Sequence, residues 1–96
     1  MTIETTRYDV AEYLTSDERI AAYLEAAFED GDPALITAAI NDVARARGMT
    51  EIAKRAGIAR GTLYKALGEG ANPTLSTLLA VMKALDVRLS VEPVAA

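Results

Sequence analysis

The chain contains no cysteine and no histidine, and only five of its 96 residues are aromatic. Without Cys or His it has no disulfide framework, no soft-ligand zinc site and none of the usual nucleophile–base pairs. No Gly-rich loop has the spacing that cradles phosphates. Catalysis is therefore not expected. Asp30 and Asp32 lie close together, but Glu29-Asp30-Gly31-Asp32 reads as a turn, because a calcium loop needs several oxygen ligands at fixed spacing and a distal bidentate Glu. Neither a metal nor a cofactor is expected. No apolar run approaches a membrane span, and the N-terminus lacks a basic stretch followed by an apolar one. With the absence of cysteine, these features make the cytoplasm the expected location.

What is present points to helices. Half the residues are hydrophobic (51%), and Ala-rich segments alternate with charged ones, a composition of packed helices rather than sheets. The length suits one domain with a modest core. The net charge of −4 is unevenly spread. Residues 1–44 carry Arg7 and Arg19 against ten carboxylates, whereas residues 45–96 carry eight basic side chains against four acidic ones. The positive charge concentrates in Arg45, Arg47, Lys54, Arg55, Arg60 and Lys65, opposed locally by Glu51. That patch suits phosphate, whereas the acidic half suits either a solvated surface or a basic protein partner.

Along the chain, Tyr8 to Leu14 reads as a short turn or helix. Ser16 or Thr15 can cap a second helix with Asp17 and Glu18 in its first turn, where they favour the dipole, and with Ile20, Leu24, Ala27 and Phe28 at helical spacing. Asp32-Pro33 opens a third helix, whose stripe is Ile36, Ala39, Ile40 and Val43 and whose end lies near Arg47-Gly48. Tyr8, Tyr13, Tyr23 and Phe28 are expected in the core. Past a loop from Gly68 to Pro73, Thr74 can cap a closing helix with Leu75, Leu78, Leu79, Met82 and Leu85 on one face. Val87, Leu89 and Val91 then alternate with Arg88, Ser90 and Glu92, which predicts a short strand that pairs with a symmetry mate or a partner's edge strand.

Between these segments, Thr50 to Gly70 reads TEIAKRAGIARGTLYKALGEG, the pattern of a helix-turn-helix. Its first helix runs from about Thr50 to Ala56, with Ile52 and Ala56 inward and Ala53 at the crossing, and Gly57 supplies the turn. The second, about Arg60 to Leu67, buries Leu63 and Leu67 and turns Arg60, Gly61, Thr62 and Lys65 outward. Arg60 and Lys65 suit guanine or phosphate, and Thr62 suits a base edge or a thymine methyl. Tyr64 lies beside this face. Thr50, Lys54 and Arg55 would rest against the DNA backbone, although Lys54 and Arg55 read equally well as solvated helix surface.

The stretches AEYLTSDERIAAYLEAAFEDGDPALITAAINDVARARGMTEIAKRAGIARGTLYKAL and NPTLSTLLAVMKALDVRLSV resemble the small antidote proteins of bacterial toxin–antitoxin modules, the HigA-like branch of the Xre/Cro-type regulators. The likeness covers nearly the whole chain. It implies a protein that binds and neutralises a RelE/ParE-superfamily (HigB-like) toxin and, as a homodimer, represses its own operon through the helix-turn-helix. Where such relatives carry a capping Ser and a polar residue in the first turn of the recognition helix, this chain has Ala59 and Gly61. That keeps two alternatives open: a toxin-neutralising interaction module with little DNA binding, and a stand-alone Xre-family regulator. The expected fold is a single all-α domain of five to six helices. It comprises acidic N-terminal helices (9–47), an Xre/Cro-like helix-turn-helix (50–67), a closing helix (74–86) and a short C-terminal β-strand (87–92).

Overall fold

Each stretch with an apolar stripe at helical spacing is a helix in the structure, a computed structural model that describes residues 10–95. The helices are α1 (Val10–Tyr13), α2 (Asp17–Asp30), α3 (Pro33–Arg47), α4 (Met49–Ala56), α5 (Arg60–Ala66) and α6 (Leu75–Ala84). Among the described residues there is no strand. No helix there is long and apolar enough to cross a membrane.

The helix starts follow local chemistry. The Ser16 hydroxyl accepts the Arg19 N–H at 3.2 Å, the Asp32 carboxylate accepts the Ala34 N–H at 3.0 Å ahead of Pro33, and the Thr74 hydroxyl accepts the Thr77 N–H at 3.2 Å. Each satisfies a donor that the helix leaves open. Gly48, at φ 103°, ends α3 and begins α4 in one step, so α4 starts at Met49, one residue before its expected position. Gly57, at φ 74°, makes the corner to α5. A side chain at either position would be forced into the left-handed region, at a cost of about 1–2 kcal/mol.

The core runs through α3, against which α1, α2 and α4 pack, and continues from α4 to α5 and α6. Ile20, Ile40, Val43, Ile52, Leu63, Leu67 and Val81 are its most buried side chains. Tyr13, Tyr23 and Phe28 pack at its margin, half-buried, while Tyr8 lies outside the described residues. The Tyr23 hydroxyl donates to the Asp42 carboxylate at 2.6 Å and ties α2 to α3. Burial, then that hydrogen bond and the negative charge of Asp42, push the Tyr23 hydroxyl up to about 12. Because the folded value lies above the unfolded one of 10.0, the folded state holds the phenol proton more tightly, so the titration of this group leaves stability unaffected below pH 10 and lowers it as pH rises towards 12. Tyr23→Phe should accordingly lower stability at neutral pH and flatten the alkaline decline. Urea melts of both proteins between pH 9 and 12 check this; parallel pH curves would refute it.

Two expectations need correcting. The closing helix does not bury all five predicted positions. Leu78, Val81, Met82 and Leu85 face the core, while Leu75 is 65% and Leu79 45% exposed. The buried stripe of α6 is thus Leu78, Val81, Met82 and Leu85, and Leu75 and Leu79 lie on its flank. The C-terminal strand is absent. α6 ends with Asp86 at φ 63° and a Val87 N–H bond to the Met82 carbonyl at 3.1 Å, after which the backbone runs extended without a partner. Val87 packs against the core edge, but Leu89 and Val91 are exposed. Alternation alone cannot make a ladder, because a ladder needs a second strand and the described residues supply none.

Candidate nucleic-acid interface

Helix α5 is held to the globule on one side. Leu63 and, just past the helix, Leu67 are buried, and this places Arg60, Gly61, Thr62, Tyr64 and Lys65 on the exposed side. Ala59 stands at the N-cap, extended, with no side chain to accept an N–H, so the helix begins uncapped. Thr50 and Lys54 are exposed on α4. No side-chain hydrogen bond or ion pair engages Lys54, Thr62 or Lys65 among the described residues.

Arg60 and Tyr64 form a unit that sequence reasoning did not assemble. The guanidinium carbon lies 5.2 Å from the ring centroid, and Nη2 donates to the Tyr64 hydroxyl at 3.1 Å. A stacked guanidinium loses rotamer freedom before any partner arrives, which reduces the entropy cost of a planar, two-pronged contact. The signal was present in the i,i+4 spacing of the two residues, which meet on one helix face.

Arg55 is engaged within the chain. Its Nη1 donates to the Ala84 carbonyl at 3.3 Å, where α6 leaves its last acceptors open, and approaches Asp86 at 3.5 Å; Nε pairs with Glu51 at 3.3 Å. It braces α4 against the end of α6. Arg47 is likewise committed, to Asp17 on α2. The basic patch therefore divides into Arg47 and Arg55, which are paired with carboxylates, Arg60, which is stacked on Tyr64, and Arg45, Lys54 and Lys65, which have no side-chain partner among the described residues. Lys54, Arg60 and Lys65 are cations on exposed helix faces, a geometry suited to phosphates and to the acceptor edges of bases.

Gly61 sits in ordinary helical backbone, and a Cβ built there would meet nothing within 4 Å. Gly61→Ala should thus stabilise the protein by about 1 kcal/mol, or roughly 4–8 °C in Tm. Calorimetry checks the stability. An unchanged or lower Tm would show a constraint on position 61 that the free chain does not reveal.

With that geometry in hand, the chain matches the family model described as probable addiction module antidote protein over residues 4–93. The chain belongs to this antidote family. An uncharacterized protein of Haemophilus influenzae is 47% identical over 92 residues, covering 96% of this chain and 95% of that protein. No solved structure matches. Antidote proteins are defined by a toxin that they counter, so membership implies a cognate toxin as partner.

Proposed function

We propose that this antidote protein is the antitoxin of a type II module that neutralises a RelE/ParE-superfamily (HigB-like) toxin. In this reading it works in the cytoplasm as a homodimer and represses its own operon, with α4 and α5 serving as a helix-turn-helix of the HigA/Xre kind. It has no catalytic activity of its own. The family match supports the antitoxin role. The observation that carries DNA recognition is the exposed α5 face, where Arg60, Thr62 and Lys65 project beside Tyr64 with no competing partner except that ring.

On this reading α5 lies in the major groove. Arg60 addresses guanine O6 and N7, Thr62 a neighbouring base edge, and Lys65 guanine or phosphate, while Thr50 and Lys54 set register on the backbone. Arg55 stabilises the α4–α6 junction and contributes to the local positive field. The alternative of a toxin-binding module with little DNA recognition has one specific support, the uncapped start of α5 at Ala59.

The test is co-expression with the adjoining gene. Rescue of growth from that gene's product, a stable complex of defined mass, and a promoter fragment shifted by both the free protein and the complex are the expected results. Growth rescue without any promoter shift would favour the interaction module. A promoter shift without a toxic neighbour would favour a stand-alone regulator.

A further inference from the structure

An open concavity lies away from α5. It is an open groove of about 1000 Å³ between α2 and the extended C-terminal segment. Phe28 of α2 and Leu89 of the tail offer its accessible apolar surface, above the buried Leu24 of α2 and Met82 of α6. Glu25 and Glu29 stand along the α2 wall and Glu92 along the opposite one, against the single cation Arg88. Neither α4 nor α5 contributes a residue. Among the described residues no ion pair or side-chain hydrogen bond engages Glu25, Glu29 or Glu92. The tail covers nothing itself, with Val91 97% and Val94 93% exposed.

An apolar trough with a carboxylate rim selects its occupant by charge. Nucleic acid is repelled by it. A second copy docked through the same groove would bring six of these carboxylates together with two arginines, a contact of net like charge. A cationic amphipathic protein segment satisfies both features, its apolar side entering the trough and its Lys or Arg side chains reaching the rim. We propose that the groove between α2 and the tail receives such a segment of the cognate toxin. This rests on the antitoxin reading above and assigns it a surface. Because the groove shares no residue with α5, a toxin segment seated in it leaves the α5 face uncovered.

The test uses the full chain and the toxin obtained by co-expression with the adjoining gene. Glu25→Lys with Glu29→Lys reverses the α2 wall without touching the core, since both residues are exposed. Position 29 lies in the last turn of α2, where a cation suits the helix dipole better than an anion, so the variant is expected to fold. Toxin affinity should fall at least tenfold, with Tm and promoter affinity at parental values. Glu25→Gln with Glu29→Gln should be intermediate. The parent's toxin affinity should weaken with salt more steeply than either variant's. A folded reversal variant that holds the toxin as tightly as the parent overturns the groove and leaves the antitoxin reading standing. Loss of self-association with toxin affinity retained assigns the groove to a second copy and overturns the proposal. A parent that binds no toxin overturns both readings together.

Discussion

Replacing Arg60 and Lys65 together by alanine is expected to lower affinity for promoter DNA about a hundredfold at ~150 mM salt, with toxin neutralisation unchanged. The magnitude comes from the contacts removed. One bidentate arginine–guanine contact discriminates by about 1–3 kcal/mol, and a lysine on guanine or phosphate adds to it. Folding should not suffer, because both side chains are exposed, the only side-chain partner of Arg60 among the described residues is the neighbouring Tyr64, and alanine is the best helix former. The salt dependence should also become shallower by about one counterion if Lys65 meets a phosphate. Fluorescence anisotropy with labelled promoter and random duplexes separates the two effects: loss of Arg60 reduces the preference for promoter, whereas loss of Lys65 weakens both. Equal promoter affinity in variant and parent would show that α5 does not read bases here.

Helix positions were largely legible because the deciding signals are local. A capping side chain at Ser16, Asp32 or Thr74, a proline at position 33 and glycines at 48 and 57 each act within a few residues, and the structure has helix boundaries there. The outward placement of Arg60, Gly61, Thr62 and Lys65 followed from the same periodicity, since burying Leu63 and Leu67 leaves those residues no inward direction. What was not legible depended on partners distant in sequence. The rotation of α6 is fixed by what α4 offers it, so Leu75 and Leu79 look as core-like in sequence as Leu78 and Leu85. Arg55 reads as a surface cation until the end of α6, about thirty residues later, is found within reach. The alternation of Val87, Leu89 and Val91 is a strand pattern without a second strand. The corrected readings of α6 and of the tail both arose where a one-dimensional pattern was asked which neighbour would occupy the space beside it.

The Arg60–Tyr64 pair and the Gly61 departure belong together energetically. Glycine in the first turn and an uncapped Ala59 each weaken α5, by about 1 kcal/mol apiece. The stacked pair across one turn restores a few tenths to about 1 kcal/mol. A seven-residue helix is in any case too short to persist alone in water, so tertiary anchoring must hold α5 in place.

That anchoring makes Leu63→Ala the substitution with the largest expected effect on stability. Leu63 is fully buried and is the sole buried residue within α5. Truncating it to alanine removes transfer energy and leaves a cavity, together about 3–4 kcal/mol. Against a total of about 5–15 kcal/mol for a domain of this kind, that is a drop of roughly 12–30 °C in Tm. Leu75→Ala, on the exposed flank of α6, is the matched control and should change stability by less than about 0.5 kcal/mol. The loss should also be uneven. Hydrogen exchange should show α5 amides losing protection before those of α2 and α3, because α5 has only Leu67 beside it as a remaining anchor, whereas α2 and α3 retain their contacts with each other. Promoter binding should therefore weaken at temperatures where the protein still neutralises its toxin. A Leu63→Ala protein that melts within a few degrees of the parent would mean that α5 is seated by contacts other than its buried leucine. The basis for reading its exposed face as a rigid, preformed surface would then be gone.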